Sequence, residues 1–224
     1  MNGLHAYYSP AGWDSSSGVW QDESGNLRDS VMTIGSITKT SQAGNGAKAS
    51  IWYLEGGPSD SIVLPPNSLP SQFTICSVTR YSSATGARGR IISATSSNFL
   101  HGHYNGNAGV SAYNLWVTRS SPSTVANSMD WVVMCGQNAP SNSIHMSNGV
   151  VVTAQNGGQG DLQLRINNPS SEPSYWQVHS IAIWARHLAL FEIQSVSDKY
   201  LAHLDVNNGS EVNVNNKVCD AACK

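Results

Sequence analysis

Charge is what this 224-residue sequence has least of: Lys, Arg, Asp and Glu make up only 12% of it, roughly half the usual share. The 12 basic residues are scattered singly and the net charge is -2, so there is no stripe able to neutralise a run of phosphates, and nucleic acid is not an expected partner. Long hydrophobic runs are missing too. None approaches the roughly 20 apolar residues of a membrane helix, so no membrane-spanning segment is expected. The opening Met1 to Pro10 lacks the charged and apolar regions of a signal peptide. The chain therefore reads as a mature or excised piece of a longer precursor, or as one that reaches its compartment by another route.

Paired carboxylates are also missing. A glycosidase needs two of them held about 5 Å apart or somewhat more, yet only 14 acidic residues are present and no two stand at i, i+2 on a readable strand. No Gly-x-Ser-x-Gly elbow accompanies the abundant serines, and Gly86-Ala-Arg-Gly89 lacks the Lys-Ser/Thr and the following helix of a phosphate loop. The expectation is a chain that is not an enzyme and holds no cofactor. Calcium has candidate ligands in the Asp14-Ser-Ser-Ser loop and at Asp22 to Asn26, although neither follows a calcium-loop pattern.

There are four cysteines. Cys76 and Cys135 sit in apolar runs, where the plain reading is a small buried hydrophobe; whether they pair depends on strand order. Cys219 and Cys223 form Cys-x-x-x-Cys, which suits a local disulfide in an oxidising compartment and not zinc, since no second ligand pair has suitable spacing. Asn208-Gly-Ser210 is one formal glycosylation sequon.

What is plentiful is Ser, Asn, Thr and Gly, the composition of many turns joining short strands. Apolar alternation predicts strands at 3–8, 30–37, 49–54, 72–80, 89–94, 98–103, 108–113, 115–119, 130–137, 143–146, 149–154, 162–166 and 176–184. Asn148-Gly149 marks the clearest hairpin. Leu190, Ile193, Val196, Tyr200 and Leu204 recur at helical spacing and predict one C-terminal helix lying against a sheet. Residues 205–224 read as a polar tail, leaving 1–204 as one domain.

Three segments resemble the concanavalin A-like lectin/glucanase superfamily, in particular its laminin G-like branch. They are Leu4-His-Ala-Tyr-Tyr8 with Trp20-Gln-Asp-Glu-Ser-Gly-Asn26; Phe73-Thr-Ile-Cys-Ser-Val-Thr-Arg80 with Gly89-Arg-Ile91 and Asp130-Trp-Val-Val133; and Tyr175-Trp-Gln-Val-His-Ser-Ile-Ala-Ile-Trp184 running into Leu188-Ala-Leu-Phe-Glu-Ile193 and Tyr200-Leu201. The resemblance implies an all-β, two-sheet antiparallel jelly-roll sandwich with one short C-terminal helix, a fold that carries many unrelated functions. In such a sandwich Trp131, Trp176 and Trp184 are expected in the core.

The densest candidate site runs from residue 98 to 116. His101 and His103 at i, i+2 share a strand face, as ligands or as hydrogen-bond partners; the other five histidines, His5, His145, His179, His187 and His203, are distant in sequence. Tyr104, Tyr113 and Trp116, with Asn105, Asn107 and Asn114 between them, supply the flat aromatic faces and amides that sugar recognition needs. The expected function is a non-enzymatic module that binds glycan or protein outside the cell or on a particle surface. The alternatives are a structural accessory subunit docked in a large multi-subunit assembly and, third, a carbohydrate-active hydrolase whose carboxylates converge from distant strands.

Overall fold

The computed structural model describes residues 3–118, 124–125, 127–152 and 154–205. Within them the chain forms short strands broken by Asn and Gly turns: β1 (Leu4–Tyr8), β2 (Trp13–Asp14), β3 (Val19–Trp20), β4 (Met32–Ile34), β5 (Thr38–Gly44), β6 (Ala47–Gly56), β7 (Ser61–Val63) and β8 (Thr74–Tyr81). There follow β9 (Ile92–Ala94), β10 (Phe99–Tyr104), β11 (Asn107–Tyr113), β12 (Val132–Gln137), β13 (His145–Ser147), β14 (Val150–Val151), β15 (Leu164–Ile166) and β16 (Trp176–Trp184). One helix, α1 (Leu190–Asp205), closes the described chain. No helix among the described residues is long and apolar enough to cross a membrane.

All strand pairs are antiparallel. An eight-stranded sheet runs β14-β13-β12-β8-β16-β6-β5, with β1 also on β16; a six-stranded sheet runs β11-β10-β9-β15-β7-β4; β2 and β3 form a small hairpin. One edge of β16 is shared, since β6 pairs with residues 176–178 and β1 with residues 181–184. The two large sheets bury a common core that includes Tyr8, Leu54, Ile75 and Trp176 from one and Ile62, Ile92, Phe99 and Tyr113 from the other. The opposite face of the larger sheet packs Cys76, Val78, Trp131, Val133 and Trp184 against Leu188, Ile193, Val196, Tyr200 and Leu204 of the helical segment. Strand β8 therefore lies between two apolar layers, and all eight of its residues are buried. Its side chains alternate as a strand must: Ile75, Thr79 and Tyr81 point to the smaller sheet, Cys76 and Val78 to the helix.

Most expected strands are present, and the helix buries Ile193, Val196, Tyr200 and Leu204 of its predicted stripe, while Leu190 is 50% exposed and Leu188, just before the helix, packs on the sheet instead. Of the strand expected at 115–119, residue 119 lies outside the described residues, and residues 115–118 form a bend with a single bridge in place of a strand. Asn114 takes a left-handed φ of 67° and reverses the chain, so that Tyr113 N–H donates to the Leu115 carbonyl and a single bridge joins Ala112 to Trp116. Trp131, Trp176 and Trp184 are at most 3% exposed, as a core assignment requires. Cys76 and Cys135, read from sequence as small buried hydrophobes, form a disulfide: β8 and β12 are neighbours, and these two residues are partners in register. The tail after Asp205, with Cys219 and Cys223, lies outside the described residues.

Candidate functional site

The site is built where three chain segments meet beyond one end of the sheets. The β10–β11 hairpin turns at Asn105-Gly106, whose φ angles of 47° and 79° are the left-handed pair that a two-residue turn of this hand requires. The loop from β8 to β9 runs alongside, and Gly106 N–H donates to the Arg88 carbonyl at 2.9 Å. The segment before β16 borders the other side of that loop: Gly89 N–H donates to Pro173 O, Arg90 N–H to Glu172 O and Tyr175 N–H to Ala87 O, each at 2.9 Å. The buried Tyr81 hydroxyl clamps the bend, 3.0 Å from the Arg88 carbonyl and 2.7 Å from that of Gly89. These segments enclose a shallow cleft of about 430 Å³, lined by residues 86–89, Tyr104, Asn105, Gly106, Glu172 and Pro173. Gly89 is required by close approach, because a Cβ there would fall on the Glu172 carbonyl oxygen.

Glu172 is held in a left-handed backbone conformation, φ 54°, which costs a residue with a Cβ energy that its surroundings must supply. Its carboxylate pairs with the Arg90 Nε at 2.6 Å, and the Arg90 guanidinium lies 5.5 Å above the Tyr104 ring. Hydrogen bonding to Glu172 holds the Tyr104 phenol above its ordinary pKa, with burial adding to the effect. Trp116 meets the Tyr104 ring edge-on at 5.4 Å. Arg88 differs from Arg90: among the described residues it has no carboxylate within ion-pair distance. Its guanidinium lies flat against Gly106, where an added Cβ would sit 3.3 Å from Cζ. Tyr175, 40% exposed, packs its ring over Gly86 at the far rim. The cleft thus offers a half-buried aromatic ring, a free guanidinium and a bound carboxylate.

The residues expected from sequence divide into two sets. Tyr104 and Asn105 line the cleft, Trp116 braces Tyr104, and Asn107 stands opposite Tyr104 in register with its amide on the Asn105 carbonyl. His101, His103 and Tyr113 are 0% exposed and reach neither cleft nor solvent. The i, i+2 spacing does put both histidines on one face, but it is the inner one. His101 bridges the Tyr113 hydroxyl at 2.9 Å and the Met134 carbonyl of the opposite sheet at 3.2 Å, and His103 meets Thr79 of that sheet at 3.2 Å. Burial pushes both imidazoles down to about 3, and His145, hydrogen-bonded to the Gln137 carbonyl, to about 4. These groups join the sheets as neutral hydrogen-bonding pairs.

Sequence reasoning missed Arg88, Arg90, Glu172 and Tyr175. Two arginines two residues apart in a chain so poor in charge were an available signal. Glu172 and Tyr175 offered none, being far along the chain from the hairpin they adjoin.

No three metal-ligating side chains come together among the described residues. Of the acidic loops weighed for calcium, Asp22 accepts from the backbone N–H groups of Tyr7, Ser24 and Arg28 and from the Ser24 hydroxyl. Asp14 is drawn down to about 2 by Ser16 and Ser17. Both carboxylates are engaged in tying their own turns.

No known protein family and no curated protein matches this sequence. Solved structures do match its fold. A Trypanosoma rangeli sialidase in complex with the inhibitor DANA aligns with 88% of this chain and 33% of its own, at 13% identity and TM-score 0.57. The binding domain of Botulinum neurotoxin DC in complex with rat synaptotagmin II aligns over 88% of this chain and 52% of its own, at 11% identity and TM-score 0.59. Domain 4 of an extracellular arabinanase from Geobacillus stearothermophilus, in complex with arabinotriose, aligns over 86% of this chain and 97% of its own, at 15% identity and TM-score 0.57. The chain thus spans a third of the sialidase, half of the toxin fragment and nearly all of the arabinanase domain. At these identities the likeness is one of fold.

Proposed function

We propose that this chain is a binding module that takes a saccharide in the cleft between the Asn105-Gly106 hairpin, the 86–90 loop and Glu172. The observation carrying this reading is the convergence of Tyr104, braced by Trp116, with Arg88, Asn105 and the Arg90–Glu172 pair around one open cleft. An aromatic ring flanked by fixed polar groups is the arrangement that meets both the apolar face and the hydroxyls of a sugar. The neighbours in complex with arabinotriose and with synaptotagmin support recognition, of glycan in one case and protein in the other; the concanavalin A-like jelly-roll sandwich that the sequence resembles is part of this proposal. A non-catalytic role is supported by the lining itself, since Glu172 is its one carboxylate and hydrolysis of a glycosidic bond by the usual route takes two. The Cys76–Cys135 disulfide favours an extracellular or surface setting.

A second reading, an accessory subunit of a larger assembly, is favoured by the edge strand β4 and its approach, where Val31, Met32 and Ile34 are 44–55% exposed.

The deciding experiment is a broad glycan array with the intact protein, Tyr104→Ala and Trp116→Ala. Selective binding that falls at least about tenfold in Tyr104→Ala, and less in Trp116→Ala, is the expected result. A blank array for the intact protein overturns the saccharide reading and favours the subunit.

A further inference from the structure

The charges at the cleft do not balance, and the imbalance selects a class of sugar. The charged side chains lining it are Arg88 and Glu172. Glu172 is already neutralised by Arg90, at 2.6 Å, and that pair is partly shielded, with side-chain exposures of 15% for Arg90 and 34% for Glu172. Arg90 also spends a donor on the Phe99 carbonyl and lies over the Tyr104 ring. One uncompensated positive charge remains, on Arg88.

That charge is also positioned. The Arg88 carbonyl accepts from Gly106 N–H and the Tyr81 hydroxyl, a bridge pairs Arg88 with Ser174, and its guanidinium rests against Gly106, where an added Cβ would sit 3.3 Å from Cζ. The backbone is thus pinned on both sides, and a planar fork with unused donors borders the cleft within the same lining as Tyr104 and Asn105. A guanidinium fork fits a planar or tetrahedral oxyanion through two parallel N–H donors. A neutral sugar would leave this charge unanswered.

We propose that the cleft prefers an acidic saccharide, one whose carboxylate or sulfate pairs with Arg88 while its ring lies on Tyr104. This rests on the saccharide reading above and adds the charge class and the residue that reads it.

The test is calorimetric titration of the intact protein, Arg88→Gln and Arg88→Lys with matched probes: trigalacturonate beside its methyl ester, sialyllactose beside lactose, and a sulfated galactose trisaccharide beside its unsulfated form. The expected result is an acidic probe bound about tenfold to a hundredfold more tightly than its neutral partner. Arg88→Gln abolishes that preference, weakening the acidic probe at least about tenfold and the neutral partner by less, and Arg88→Lys keeps part of it. A thermal melt of each variant within a degree or two of the parent establishes that folding is intact. Preference for the carboxylated or for the sulfated probe identifies which oxyanion Arg88 reads. Equal binding of acidic and neutral partners, or a preference that survives Arg88→Gln, overturns the inference and leaves the saccharide reading standing. Failure of every probe, acidic and neutral, overturns both.

Discussion

His101, His103 and His145 stand fully buried between the sheets, and their neutrality has a cost that depends on pH. Their folded pKa values, about 3, 3 and 4, lie below the roughly 6.5 of an unfolded chain. Below pH 6.5 the unfolded state therefore takes up protons that the folded state refuses, so stability falls as pH drops and is flat above neutrality. At pH 5 each group contributes a loss of about 2 kcal/mol. Urea denaturation at pH 7.5 and at pH 5 should show the midpoint falling steeply at the lower pH; an unchanged midpoint would mean that these histidines are protonated or solvated in the fold. Gly89 is the second sensitive residue. In Gly89→Ala the new methyl must displace the Glu172 backbone, which parts the 86–90 loop from the segment before β16, and a loss of about 2 kcal/mol or more is expected from denaturation curves, together with loss of the saccharide binding proposed for the cleft. At this scale the sequence was half legible. The period of two showed that His101 and His103 share a face, but not whether that face looks inward, because this depends on which strands lie opposite.

The elements most legible were those whose signal is local. The hairpin β13–β14 turns at Asn148-Gly149, with φ 47° and 79°, and the helix follows its apolar stripe. Its start is fixed by Glu192, whose carboxylate accepts from Ala189 N–H at 2.9 Å and from the Arg186 guanidinium at 2.6 and 2.8 Å. This pairing serves the orphan donors of the first turn, and Glu192→Ala should cost about 1 kcal/mol in urea denaturation. Strand β5 was not legible. Thr38-Lys-Thr-Ser-Gln-Ala-Gly44 carries almost no apolar residue and is largely exposed; it is a strand because β6 offers it an edge to pair with. The disulfide was hidden for a similar reason, since 59 residues separate its cysteines and only the adjacency of β8 and β12 unites them. Reduction, or Cys76→Ala with Cys135→Ala, should lower stability by about 2–4 kcal/mol, and alkylation of the unfolded but unreduced protein should leave both cysteines unmodified.

For the whole molecule, the cleft exists only because distant segments converge: the loop after β8, the turn after β10 and the approach to β16. No local pattern in the sequence announces such a meeting, which is why Tyr104, Asn105 and Trp116 were found and Arg88, Arg90, Glu172 and Tyr175 were not. The same holds for the larger sheet. Strand β16 is its hub, pairing with β8, β6 and β1, and it is the last strand in chain order among the described residues. Until residues 176–184 have been made, β1 has no partner and β6 and β8 each lack a neighbour, and the helix that covers the outer face comes later still. Pairings so remote along the chain form slowly. On a translating ribosome the domain stays extended and open to protease until nearly all of it has emerged, and a protection assay on stalled nascent chains should show resistance appearing only after α1 clears the exit. A late-arriving hub keeps the growing polypeptide threadable, the form in which a chain passes through a narrow channel before it becomes too wide to do so.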